Sequence, residues 1–192
     1  ILKVRDGYHG VAPWMQEKDR PGIISSDSEH VLNVEWNDLE SFEEILKNNS
    51  DTIACFISSP YNHPVFRDNE LPKEEYWQKV SALCKEHGIV LIVDDVRAGF
   101  RINLSGSNVA YGFTPDLICF GKAIANGYPL SALVGNNDLK EAAEKVFFTG
   151  TQFFSAPPMA AAKATLLELK KSDAANKMND YGKKLNSSLM EV

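Results

Sequence analysis

Two side chains in this sequence can do chemistry together, and each stands where a strand stops. The run Ile89-Val90-Leu91-Ile92-Val93 ends abruptly on Asp94-Asp95, and the run Leu117-Ile118-Cys119-Phe120 ends on Gly121-Lys122. Apolar, β-favouring runs of this kind read as strands buried on both faces of a parallel sheet, and the carboxyl edge of such a sheet is where open α/β folds bind ligands. An acid and an amine are therefore expected to face one crevice. A lysine at the end of a buried strand, among glycines, is poorly placed for solvation and so suited to imine formation; read otherwise, it is a loop lysine reaching water. Asp94 has its own plain alternative as a turn or cap carboxylate, although an apolar strand seldom ends on an acid. Asp95 points to the opposite face and reads as structural, whereas Val96 shares the side of Asp94.

The elements that must position these groups alternate. Ile1 to Val4 is a short strand running into Arg5-Asp6-Gly7-Tyr8-His9-Gly10, where two glycines bracket an aromatic and a histidine in turn chemistry. Residues 11–30 read as irregular surface. Asn37-Asp38-Leu39-Glu40 has the form of a capping box before Leu39, Phe42, Ile45 and Leu46 at helical spacing. A strand over Thr52 to Ile57 is followed by a helix over 73–87, with Tyr76, Val80, Leu83 and Cys84 on one face and Gly88 as its left-handed stop. Between Val96 and Pro115 lies a glycine- and serine-rich loop of about twenty residues, long enough to suggest function. A strand over Leu130 to Val134, a helix capped by Asn137, a long helix from Pro158 and a last amphipathic helix through Met178, Tyr181, Leu185 and Leu189 carry the chain to Val192. Strand and helix in alternation predict an α/β fold with a mainly parallel sheet and helices on both faces.

Composition sets the outer bounds. A net charge of −6 with no basic stripe argues against nucleic acid and against an anionic membrane surface as partners. Cys55, Cys84 and Cys119 are an odd count without metal-ligand spacing, so no metal site is expected; they read as reduced thiols of a cytoplasmic protein. The chain opens directly in a strand without a starting Met and reads as a piece of something longer.

Pyridoxal phosphate uses both of the reactive groups: a lysine binds its aldehyde carbon, and a carboxylate keeps its pyridine nitrogen protonated so that the ring draws electrons. The same residues also resemble a family. Leu91-Ile92-Val93-Asp94-Asp95-Val96-Arg97-Ala98-Gly99-Phe100-Arg101, followed by Pro115-Asp116-Leu117 through Phe120-Gly121-Lys122-Ala123 to Gly127-Tyr128-Pro129, is similar to the central signature of class III aminotransferases. Within that class the likeness is greatest to glutamate-1-semialdehyde 2,1-aminomutase and its aminotransferase relatives.

The resemblance implies a fold type I pyridoxal-phosphate transferase large domain over residues 1–172, with its N-terminal part absent, and a helix over 173–192 leading toward a small C-terminal domain. It implies Lys122 as the internal aldimine lysine, Asp94 as the partner of the pyridine nitrogen, and Val96 packed on one ring face. Tyr8-His9-Gly10 matches the family's aromatic-His-Gly turn, whose aromatic stacks on the other face; apart from the family, Tyr8 is an ordinary turn aromatic. A threonine, Thr151 or else Thr149, would meet the cofactor phosphate of the partner subunit, which makes a homodimer the expected assembly. Implied substrates are small amino acids or amino-aldehydes, in an aminotransferase or aminomutase reaction.

Several positions depart from the family pattern. Ser59 stands where a glutamate usually precedes the proline, Asp94-Asp95 replaces an Asp-Glu pair, and Phe153 occupies the more usual place of the phosphate-binding threonine. The glycine- and serine-rich phosphate turn belongs upstream of Ile1. Two alternatives accompany this reading: a pseudoenzyme that keeps the fold and cofactor site, and an unrelated doubly wound module that binds a small anion.

Overall fold

The computed structural model describes residues 1–16, 20–49, 51–64 and 67–191, so parts of the irregular segment expected over 11–30, and Val192 at the end of the last expected helix, lie outside the described residues. The chain divides into two compact units, Ile1–Asp94 with Gly112–Leu117, and Asp95–Tyr111 with Ile118–Val192. Each is mixed α/β.

In the first unit, β1 (Leu2–Val4), β2 (Leu32–Val34), β3 (Cys55–Ser58) and β4 (Val90–Asp94) run in the order β2-β1-β3-β4. All are parallel, with Val4 opposite Val34 and Phe56 opposite Leu91. Two of the parallel crossovers carry a covering α-helix: α1 (Leu39–Asn49) follows β2, and α2 (Tyr76–Glu86) follows β3, whereas the described residues between β1 and β2 form only two short 3-10 turns. Phe42 and Leu46 of α1 and Val80 of α2 are fully buried, and Phe42 meets Phe56 of β3 edge-on at 4.9 Å. Trp77, next to the stripe read from the spacing, is also buried. Its Nε1 donates to the Pro60 carbonyl at 2.9 Å, and its ring stacks on Phe113 at 4.5 Å.

Three expectations shift here. The cap of α1 is Asp38, whose carboxylate accepts from Ser41 N at 3.0 Å. Asn37 is occupied elsewhere: its side chain donates to Glu70 and to the Leu71 carbonyl and accepts from Lys73 N. The third strand starts at Cys55 rather than Thr52, because Thr52 N and Ile53 N still bond back to the Asn49 carbonyl. And β4 is covered fully on one face only, through Leu91 and Val93, while Val90 and Ile92 are half-buried.

The second unit holds β5 (Leu117–Phe120), whose first residue belongs to the first unit, beside β6 (Ala132–Gly135). It also holds α3 (Ser107–Tyr111), α4 (Lys140–Lys145), α5 (Ala156–Lys171) and α6 (Ala174–Met190). Its core gathers Phe100, Phe120, Ile124, Ala125 and Ala162. The loop expected between Val96 and Pro115 thus contains a helix, started where Asp95 holds Ser107. Asn136 rather than Asn137 caps the following turn, accepting from Leu139 N at 3.3 Å. On α6, Met178, Tyr181, Leu185 and Leu189 are all exposed.

The three cysteines are free thiols. Burial, helped by the charges of Asp116 and Cys55, pushes the Cys84 thiol up to about 12 from 9.0. Unfolded chain releases that proton near the lower value while the folded chain keeps it, so the fold loses stability as pH climbs through this window. At about pH 8, iodoacetamide is expected to leave Cys84 unmodified in the native protein and to label it on unfolding, as read by mass spectrometry; native labelling at the rate of a free thiol would contradict its burial.

Candidate active site

In the first unit, the turn that follows β1 positions His9. Gly7 N donates to the Val4 carbonyl at 3.0 Å, with Asp6 in the left-handed region at φ 59°, a conformation that short polar residues tolerate. A Cβ on Gly7 would fall 2.9 Å from the Val4 oxygen and 3.1 Å from His9 Nε2; the position therefore excludes larger residues. Lys3, fully buried in β1, donates from Nζ to the Gly7 carbonyl at 3.3 Å and so ties the turn to the strand. Sequence pattern alone does not reveal this lysine, because it sits among apolar neighbours and its partner is a backbone carbonyl.

So held, the turn delivers His9 to the end of β4. His9 Nδ1 lies 2.8 Å from Asp94 Oδ2, with the two side chains 1% and 13% exposed. Among the predicted site residues, these two are brought together. A carboxylate this poorly solvated has to be met by donors, and Nδ1–H is one of them. Tyr8 is 54% exposed, its ring open to whatever lies over the turn, and Gly10 takes φ 102°, which a glycine adopts at no steric cost.

The second unit carries Lys122. Gly121 has extended backbone and is followed directly by Lys122 at φ 42°, a left-handed conformation that a side chain with a Cβ adopts only under constraint. A Cβ on Gly121 would come 3.2 Å from Val96 Cγ1, so the glycine is what lets Val96 lie against the base of Lys122. The backbone around the lysine is fixed further by Ile124 N donating to the Gly121 carbonyl at 3.0 Å and by the turn closed from Tyr128 N to the Ala125 carbonyl at 3.1 Å. Asn126 and Gly127 occupy positive φ in that turn, where both are at home. Lys122 itself is exposed and borders an open cleft of about 540 Å³ with Arg101, Asn126, Thr165 and Glu168. The desolvation argued from its place in the sequence is not supplied within this unit, since nothing in the unit covers the lysine.

Asp95 takes the structural role expected of the acid on the opposite face. It is buried, its carboxylate accepts from Ser107 N at 2.8 Å and from Ser107 Oγ at 2.6 Å, and its own N–H donates to the Cys119 carbonyl at 2.9 Å. Gly99 N returns to the Asp95 carbonyl at 2.8 Å. Thr149 and Thr151 lie exposed on the segment before α5, near a turn that Phe153 N closes to the Gly150 carbonyl. At the Ser59 departure, the hydroxyl lies 3.2 Å from His63 Nε2.

Residues 15–192 match the family model described as Aminotransferase class-III. The chain belongs to the class III aminotransferase family. It is 43% identical to an aminopentol aminotransferase of Sphingopyxis macrogoltabida over 86% of its own length and 39% of that protein's. It is 33% identical to a glutamate-1-semialdehyde 2,1-aminomutase of Anaeromyxobacter sp., covering 100% of this chain and 47% of the aminomutase. The structure of the FumI protein of Sphingopyxis sp. MTA144 in its PLP internal aldimine form superposes with a TM-score of 0.92 at 39% identity, over 98% of this chain and 45% of that one. The chain thus spans about half the length of the relatives it matches. Membership in the class III family accounts for the parallel sheet and does not favour an unrelated small-anion module.

Within this site the Asp95–Ser107 link has the clearest separable effect. Ser107→Ala removes one charge-assisted bond to a buried carboxylate and is expected to cost about 1–3 kcal/mol of stability, measured by urea unfolding. An unchanged midpoint would show that the link does not hold α3 in place.

Proposed function

We propose that this protein catalyses pyridoxal-phosphate-dependent transfer of an amino group between small molecules, as an aminotransferase. The observation that carries the reading is the poorly exposed Asp94, met by His9 at 2.8 Å at the end of β4. A carboxylate oriented by a neighbouring N–H is suited to pairing with a pyridine nitrogen. Lys122 supports it from the other unit: its backbone is strained, as at many functional sites, and its amine is exposed for attachment. When bound, pyridoxal phosphate supplies an electron sink for the carbon that bears the amine.

In this reading Asp94 and Lys122 are the catalytic residues, and Val96, Tyr8, His9, Gly10 and Thr151 hold the cofactor. Lys122 Nζ would hold the cofactor through its aldehyde carbon, and as a free amine it would serve as the base and then the acid that moves a proton. His9 keeps Asp94 oriented. Val96 and Tyr8 would pack against the ring, and Thr151 would meet the phosphate held by a second copy. The 43% identity to an aminotransferase, against 33% to an aminomutase, supports release of a carbonyl product over return of the amine to a neighbouring carbon.

Residues 1–172 form most of a cofactor-binding large domain in this proposal, and 173–192 lead toward a small domain. The assembly is a cytoplasmic homodimer. Support for the dimer comes from Phe147, Phe148 and Phe154, which are 94%, 78% and 85% exposed on the segment that carries Thr151; apolar rings so open to solvent mark a surface that is covered in the working protein.

Borohydride treatment of the full-length protein with its cofactor is expected to fix the cofactor to Lys122, found by peptide mass, and Lys122→Ala should abolish both fixation and turnover. Fixation elsewhere would remove Lys122 from the mechanism. Asp94→Asn is expected to retain cofactor but to lower turnover at least about a hundredfold, as loss of a transition-state charge does; normal rates would mean that the carboxylate does not serve the ring nitrogen. Cofactor bound at Lys122 without transfer to any carbonyl acceptor would identify the pseudoenzyme instead.

A further inference from the structure

Behind the His9–Asp94 pair, on the side away from the carboxylate, lies a small cavity of about 10 Å³ whose wall includes Gly7, His9, Trp36, Ser59 and Asn62. A space of this size is at the lower limit of what one water molecule occupies. Two of its lining residues carry buried nitrogens with no hydrogen-bond partner among the described residues, His9 Nε2 and Trp36 Nε1. Leaving either one unmet in the interior carries a desolvation penalty, and a water with polar partners on two sides removes both penalties at once.

The chemistry of the two nitrogens sets the direction of the bonds. Indole Nε1–H can only donate. His9 Nδ1 faces a carboxylate oxygen at 2.8 Å and therefore carries the proton, which leaves Nε2 of the neutral ring as an acceptor. A water between them accepts from Trp36 and donates to His9, and no other arrangement satisfies all three groups with the ring neutral.

We propose that one buried water links Trp36 Nε1 to His9 Nε2 and holds His9 in its Nδ1–H tautomer, so that Trp36 is a positioning residue for Asp94. The indole acts through the water on the imidazole, and the imidazole on the carboxylate. Gly7 belongs to the same device: with no side chain, it leaves open the space that a Cβ 3.1 Å from His9 Nε2 would fill. Trp36 is itself held by tilted and edge-on ring contacts, 4.9 Å from Tyr76 and 6.0 Å from Trp77, so the N–H has little freedom to turn away. The bearing of this link on the cofactor rests on the function proposed above; the link itself does not.

Two measurements on the full-length protein with its cofactor test it. A crystal structure that resolves ordered water is expected to show one molecule within hydrogen-bond distance of both nitrogens, and density for none there would overturn the proposal even if no variant folds. In nitrogen-15 spectra of labelled histidine, wild-type His9 is expected to show a protonated Nδ1 and an acceptor Nε2. Trp36→Phe, which keeps the ring packing and deletes the N–H, should shift the Nε2 resonance and lose the single tautomer, and an unchanged His9 spectrum would overturn the role of Trp36. Borohydride fixation to Lys122 is scored on the same samples: its failure in the wild type counts against the proposed function, whereas the water and the tautomer are read without it.

Discussion

A carboxylate with little access to water must be compensated where it stands, and around Asp94 that requirement reaches back to the first residues of the chain. The compensating group comes from a turn, and a turn is held only as well as its anchors hold it. Here they are a glycine too crowded for any side chain, a buried lysine bonded to the turn's own carbonyl, and a hydrogen bond closing the loop onto β1. A buried amine that bonds the turn's own carbonyl is part of the apparatus that aims an imidazole at the strand end.

The pair Asp94-Asp95 shows how alternation along a strand divides labour between adjacent residues of identical chemistry. One carboxylate turns to the face where the turn brings His9. The next turns the other way and is saturated by Ser107, which makes it a fastening for the segment that carries Val96, Gly99 and Phe100. Gly99 has no room for a Cβ, which would lie 2.7 Å from the Asp95 oxygen and 2.8 Å from the Phe120 ring. Acid, glycine and aromatic core are therefore one packed object.

What could be read from the residues alone follows the range of the interactions. Helices α1, α2, α5 and α6 announce themselves because their signals lie within a few turns of chain, and the two reactive side chains because an apolar strand ending on an acid or an amine is unusual. Capping was misplaced by one residue at both Asn37 and Asn137. For Asn37 the cause is a distant loop that claims its amide, something no local pattern records. Nor does spacing reveal Lys3 as a buried anchor or join His9 to Asp94, whose partnership is written only in the fold. The open second face of β4 was hidden for a related reason, since a run of β-branched residues looks the same whether or not a covering layer is present.

The left-handed backbone at Lys122 has a consequence for descent as well as for chemistry. A lysine held there carries strain of about 1 kcal/mol that asparagine or glycine would largely relieve, so folding alone gives no reason to retain it. Under the proposed function, selection for turnover is the force that would keep it in place. In a lineage released from that selection, this position should be among the first to drift, and the chain would grow sturdier as it fell silent.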